Sequence, residues 1–276
     1  MTDLPPLTIL LGPQTGVSLA LNAIAREQRA VLANAGLAAW PSRLSAPLLR
    51  RCLDDRPPYE RETEFATETA IRPAFMSAVN FFGPPQAGMM KGEMFPDAEK
   101  SLAGLADIAP KARILVCIDT LPAFFLAARS EPLEARVRRT SWEVLYDLSW
   151  ADLVREIKAA LPDSALIVLT PDGAGRYAEG TLRHLLGDAV NALPDRHALL
   201  RAAIADTGRA VLDRLVAEGD PPQETLAELY ASFAIRPAPR DVQQRLAIDK
   251  VTAALLDQRF AEDVDAIQLL PGTEVI

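Results

Sequence analysis

The stretch from Thr8 to Gly36, TILLGPQTGVSLALNAIAREQRAVLANAG, constrains the fold more than any other part of the chain. Thr8–Leu11 is an apolar, partly β-branched run that predicts a short buried strand. A tight turn follows, Gly12-Pro13-Gln14-Thr15-Gly16, and a long amphipathic helix is expected to begin near Val17 or Ser18. Its apolar positions Leu21, Ile24, Val31, Leu32 and Ala35 recur at three- and four-residue steps, and Gly36 is placed to close it. A strand, a glycine turn and a helix in this order form an anion cradle. The turn aims backbone N–H groups at the ligand, and the helix start favours negative charge.

Two further apolar runs, Ile114–Ile118 and Ala165–Thr170, have the near-continuous pattern of parallel strands buried on both faces. Another run, just before Ser77, suits the end of a strand. Between the two, Pro122–Arg139 reads as a helix interrupted near Pro132, with a basic group, Arg136, Arg138 and Arg139, expected to pair with Glu131, Glu134 and Glu143. Ser149-Trp150-Ala151-Asp152 has a helix-capping pattern, followed by an apolar face of Trp150, Leu153, Ile157 and Leu161. Pro171–Arg176 reads as a turn. From about Tyr177 the chain turns helical, over Tyr177–Leu186, Asp195–Glu218, Gln223–Phe233 and Asp241–Leu270, with Leu199, Ile204, Val211, Leu212 and Leu215 as core positions. The expected fold is α/β: a mostly parallel sheet from the Thr8, Ala74, Ile114 and Ala165 regions, flanked by helices, with a helical C-terminal part, in one domain spanning 1–276.

Apolar residues make up 49% of the 276 and charged ones 24%, a globular rather than a disordered composition. No apolar run reaches the roughly 18 residues of a membrane span, and the first residues lack the basic segment of a secretory signal. Cys52 and Cys117 give neither a disulfide framework nor metal-ligand spacing, so a cytoplasmic setting is expected. His184 and His197 pair with no cysteine or nearby histidine, which points to structural or surface roles. The net charge of −8 argues against nucleic acid as a partner and requires any anion site to be local.

The loop lacks the Gly-Lys-Ser/Thr ending of a nucleotide-triphosphate P-loop, since Gly16-Val17-Ser18 stands there. Pro13-Gln14-Thr15-Gly16-Val17-Ser18 instead resembles the Pro-Lys-Thr-Gly-Thr-Ser/Thr loop of sulfotransferases, in particular a bacterial group of them. The resemblance implies a P-loop, sulfotransferase-like fold in which Pro13, Gln14, Thr15, Gly16, Val17 and Ser18 hold the 5′ side of 3′-phosphoadenosine 5′-phosphosulfate. Ser77, Asn80, Phe81, Phe82 and Gly83 match a Ser-Asp/Glu-Glu-Asn-Leu/Phe-Leu/Phe-Gly motif of the same group. Gly92–Ala106 resembles its Pro-Asp-Ala turn and helix, and the closing Phe260, Asp263, Ile267, Pro271 and Gly272 resemble its C-terminal pattern.

The departures fall on functional positions. The family's loop lysine is Gln14, its general-base carboxylate is Val79, and its 3′-phosphate arginine and serine are Asp119 and Ala128. Valine accepts no proton, and aspartate reverses the charge next to a phosphate. Together these imply a catalytically degenerate member, a pseudoenzyme that binds a small anionic ligand or serves a partner. The alternative is an active sulfotransferase moving a sulfuryl group to a hydroxyl or amine acceptor through a rebuilt site. It would use Arg129 or the Arg136–Arg139 cluster for phosphate and Glu93 or Asp97 as base. A nucleotide kinase is a third reading, weakened by the missing lysine.

Overall fold

The computed structural model describes residues 7–52, 60, 63, 65, 73–79, 81–83, 89 and 92–276, with the backbone alone at 51 and 52. The Asn80 match and the thiol of Cys52 lie outside the described residues.

Strand β1 (Leu7–Gly12) leads into α1 (Gly16–Glu27). The single long helix expected here is two: the helix breaks at Gln28 and resumes as α2 (Arg29–Asn34). Gly36 closes the unit at φ +89°, a conformation that glycine adopts without strain. Leu21, Ile24 and Leu32 are buried as expected, whereas Ala35 is exposed at the frayed end of α2. Next come β2 (Ala38–Trp40), α3 (Ser42–Cys52), β3 (Ala74–Val79) and α4 (Ala98–Ile108). Ser77 is not past the end of its strand but inside β3, which runs on to Val79.

Strand β4 (Arg113–Cys117) is followed by four helices, α5 (Leu121–Ala127), α6 (Glu131–Val137), α7 (Trp142–Asp147) and α8 (Trp150–Ala160). The break between α5 and α6 lies at Arg129, in the left-handed region at φ +46°, and Pro132 sits harmlessly in the first turn of α6. After β5 (Leu166–Leu169), Pro171–Arg176 is a helix, α9, rather than a turn. The Thr170 hydroxyl caps it by accepting the Gly173 N–H at 3.0 Å. Two glycines let α9 pack: a Cβ on Gly173 would meet the Ile276 backbone at 1.8 Å, and one on Gly175 the Tyr230 ring at 2.1 Å.

The C-terminal part comprises α10 (Ala178–Leu186), a 3₁₀ segment Gly187–Ala192, α11 (Ala198–Ala203), α12 (Asp206–Glu218) and α13 (Gln223–Phe233). The helix expected over Asp195–Glu218 is broken at Ile204, which bridges Ala234. Val211 is 38% exposed, unlike the buried Leu199, Ile204 and Leu212. A π-turn, Val242–Leu246, ends at Ala247 in the left-handed conformation and splits the segment expected from Asp241. Helix α14 (Lys250–Gln268) then runs to a last strand, β6 (Thr273–Val275).

All six strands are parallel, in the order β2-β3-β1-β4-β5-β6. The sequence expectation of an α/β fold with a helical C-terminal part holds, with two strands, β2 and β6, beyond the four expected. Side chains alternate between two apolar clusters, as the two-residue period of a strand dictates. Ile9, Leu11, Ile114, Val116 and Val168 join α4, α5, α8 and α14 on one face. Leu10, Leu115, Cys117, Ile167 and Leu169 join α1, α2 and α9–α13 on the other. The helix after β1 and the helix after β4 thus lie on opposite faces. The C-terminal ends of β1 and β4, which are neighbours, therefore flank a switch point, where open α/β sheets form their crevices.

Candidate functional site

The loop between β1 and α1 lies at that switch point. Thr15 is extended and caps α1 in a reciprocal pair with Ser18: the Ser18 N–H donates to the Thr15 hydroxyl at 3.2 Å, and the Thr15 N–H to the Ser18 hydroxyl at 2.9 Å. The Ser18 hydroxyl in turn donates to the Pro13 carbonyl at 2.7 Å. Both side chains are fully buried, and the Thr15 hydroxyl lies near enough to the Cys117 thiol to oppose the rise in its pKa. The two hydroxyls therefore hold the turn rather than face a ligand. Pro13 and Val17 are buried too, Gln14 is half-buried, and Gly16 is exposed. Among the described residues, the N–H groups of Gly16 and Val17 find no acceptor, as the first N–H groups of a helix do not. The cradle reduces to backbone.

Asp119 lies two residues past the end of β4. Its carbonyl accepts the Trp150 indole N–H at 2.6 Å and its carboxylate accepts the Thr120 N–H at 2.8 Å. Desolvation pushes its pKa up to about 7, against the opposing pull of the Thr120 N–H, with the charges of Asp257 and Asp172 adding to the rise. Cys117 below it is raised still further, by burial first and then by the Asp119 charge, and is inert as a nucleophile.

The neighbours of Asp119 come from distant segments. Asp172 opens α9 and receives the Tyr230 hydroxyl at 3.3 Å, a hydroxyl that also reaches the Pro171 carbonyl at 2.9 Å. Arg236 stands 3.9 Å from Asp172 and partly offsets the desolvation that raises Asp257 on α14. Asp119, Asp172 and Asp257 thus lie within electrostatic reach of one another, and Asp172 stands 3.9 Å from both Arg176 and Arg236. This arrangement can exchange a proton near neutrality. It opposes a multiply charged anion.

The other residues singled out in the sequence are dispersed. Val79 lies in the apolar cluster with Val17 and Phe75, and its N–H donates to the Ser42 hydroxyl at 3.3 Å. Ser77 is fully buried and tied by Ser42 and Ser45 of α3. Ala128 ends α5, and Arg129 is exposed. The basic group at the end of α6 does not pair with the acids expected for it. Arg138 donates to the Arg245 carbonyl at 2.6 Å, and Glu134 holds the Arg245 guanidinium. Asp97 stands at the cap position of α4 without a side-chain cap bond, and Glu93 lines a cavity between α4 and α8.

His184 stands 3.6 Å from Glu274 on β6, and His197 is buried. Among the described residues no group of three or more potential ligands could hold a metal ion, and no helix is long and apolar enough to cross a membrane. Sequence reasoning missed Asp172, Asp257 and Tyr230 as neighbours of Asp119, because only the folding of α9, α13 and α14 around the C-terminal end of β4 brings them together.

Compared with protein-family models, with curated proteins and with solved structures, the chain finds a match in none of the three.

Proposed function

We propose that the chain is a sulfotransferase-like binding protein that has lost transfer chemistry, its switch-point crevice taking a ligand other than the phosphosulfate donor. The observation that carries this reading is Asp119. Where the resemblance implies a phosphate-holding cation, a desolvated carboxylate stands with Asp172 and Asp257 around it. A unit charge about 4 Å from a phosphate charge costs roughly 1 kcal/mol in water and about 4 at an effective dielectric near 20. The inward-turned Thr15 and Ser18 hydroxyls and the apolar setting of Val79 support the same conclusion.

Calorimetry with 3′-phosphoadenosine 5′-phosphate, the inert product of the donor, tests it. No binding is expected at micromolar concentrations. Micromolar binding that disappears in Arg129→Ala or Arg236→Ala would overturn the reading in favour of a rebuilt cofactor site.

One observation favours an active transferase as the second reading: a buried carboxyl with its pKa raised to about 7 has the property required of a general base. In that reading Asp119, rather than Glu93 or Asp97, takes the acceptor proton. Sulfuryl transfer from the donor to a phenol or amine, abolished in Asp119→Asn, would establish it.

A further inference from the structure

We propose that the corner between α6 and α7, made by Arg136, Arg138, Arg139 and Trp142, docks a short acidic segment of a partner protein. The segment's carboxylates pair with the guanidinium groups while one of its apolar side chains lies on the indole. All four side chains are exposed, Trp142 at 49%. The chain carries a net charge of −8, so a cationic corner stands against its overall field.

The corner is one tight turn with a fixed shape. The Arg139 and Thr140 N–H groups donate to the Arg136 and Val137 carbonyls at 3.0 Å each, and the Thr140 hydroxyl donates to the Arg136 carbonyl at 2.9 Å. Trp142 opens α7 two residues later. At no more than about 3.6 Å of chain per residue, its Cα lies within about 11 Å of that of Arg139. Leu133, Val137 and Leu145, all buried, anchor the two helices in the core. Glu134 holds the Arg245 guanidinium, and the Arg245 carbonyl accepts an Arg138 N–H at 2.6 Å. A surface held in this way loses little freedom when a partner meets it.

The arginines lack acids. Among the described residues neither Arg136 nor Arg139 forms an ion pair or a side-chain hydrogen bond. Glu131 stands at the far end of α6 and Glu134 is taken by Arg245, which leaves Glu143 as the acid next to the corner. Three guanidinium groups therefore face one carboxylate. Arginine clusters recognise acidic motifs through paired N–H groups, and arginine and tryptophan are the side chains that most often anchor protein interfaces.

Exposure and charge together select the occupant. A small anion gains little from exposed charges, whereas a segment that reaches several guanidinium groups and the indole at once sums their contributions. A long polyanion, whether nucleic acid or an anionic bilayer, extends past the corner into the field of a chain with 37 acidic residues against 29 basic ones. A short acidic segment does not.

The test is fluorescence anisotropy of the full chain with a labelled peptide, Glu-Glu-Phe-Glu-Glu-Leu-Glu-Glu, and with its counterpart in which glutamine replaces every glutamate. It is repeated on Arg136→Gln/Arg139→Gln and on Trp142→Ala. The control, Arg29→Gln/Arg214→Gln, removes the same charge from exposed positions of α2 and α12. Circular dichroism verifies folding. Saturable binding of the acidic peptide is expected, about tenfold weaker in the double variant and in Trp142→Ala, unchanged in the control, and absent for the glutamine peptide. Absence of binding at millimolar concentration would overturn the proposal, as would equal weakening in the control or an unchanged affinity in Trp142→Ala. So would tighter binding of a single-stranded DNA oligonucleotide or of phosphatidylserine vesicles, lost in the same variants, which would assign the corner to another class of polyanion. Displacement of the peptide by 3′-phosphoadenosine 5′-phosphate would assign it to a cofactor site and overturn it too. The calorimetric test of the proposed function turns on Arg129, Arg236 and the crevice, so either experiment can fail while the other stands.

Discussion

The Thr15 N–H reaches the Ser18 hydroxyl at 2.9 Å while the Ser18 N–H reaches the Thr15 hydroxyl at 3.2 Å, and both side chains are fully buried. This reciprocal pair fixes the angle at which α1 leaves β1. Removing an N-cap side chain costs roughly 0.5–2 kcal/mol, and Ser18→Ala also removes one of the two donors to the Pro13 carbonyl, the other being the Thr15 N–H. Urea unfolding should therefore show a loss of about 1–3 kcal/mol for Ser18→Ala, with a smaller loss for Thr15→Ser, which keeps the hydroxyl. Were the hydroxyls ligand contacts instead, the stability of Ser18→Ala would match wild type.

Asp119 makes stability depend on pH. Its folded pKa, about 7, lies above the value for an unfolded aspartate near 3.9. The native state therefore binds more protons across that interval, and stability contributed by the protonated carboxyl is lost as pH rises from about 4 to about 7. The slope from one proton is at most about 1.4 kcal/mol per pH unit. Asp119→Asn removes the titration while keeping the shape. Its stability relative to wild type should rise between pH 4 and 7 and level off above, as read from denaturation midpoints. A difference that stays constant with pH would mean that Asp119 is hydrated.

Asp263 of α14 is 2% exposed and accepts the Ser149 hydroxyl and the Trp150 N–H, both at 2.8 Å. It thereby serves the start of α8 from the other end of the chain, and Arg259 stands 3.5 Å away. Asp263→Ala leaves two buried donors without an acceptor, each costing roughly 1–3 kcal/mol. Asp263→Asn keeps one carbonyl oxygen and should lose less. Thermal unfolding of the two variants should rank them in that order. If both match wild type, the start of α8 is not held by α14.

The glycines of α9 and α10 make opposite predictions. Gly175→Ala places a methyl against the Tyr230 ring and should cost about 1–3 kcal/mol, the usual penalty of overpacking. Gly180 on α10 is exposed, with nothing within 4 Å of an added Cβ. Gly180→Ala should stabilise by roughly 0.5–1 kcal/mol through helix propensity. Chemical denaturation of the pair checks both signs, and a stable Gly175→Ala would show that α9 and α13 are not packed at this distance.

The sequence alone determined the centre of the sheet, because a strand covered on both faces must be apolar throughout, and β1, β4 and β5 are almost nothing else. It also determined the start of α8, since capping is a local matter of a hydroxyl and the N–H three residues on, while α1, expected to begin near Val17 or Ser18, begins at Gly16 under a Thr15 cap. Strand β6 was not legible: Thr273–Val275 is short and mixed in polarity, and becomes a strand only because β5 offers it an unpaired edge. The α9 helix was hidden by glycines that read as a turn and are there for close contact with Ile276 and Tyr230.

At the crevice, the sequence identified the loop and the reversed charge of Asp119, but not the inward turn of Thr15 and Ser18 or the company of Asp172, Asp257 and Arg236. Periodicity and capping act over a few residues and are written in the chain. Desolvation and charge coupling depend on which distant segments fold around the C-terminal end of β4, and only the tertiary structure decides that.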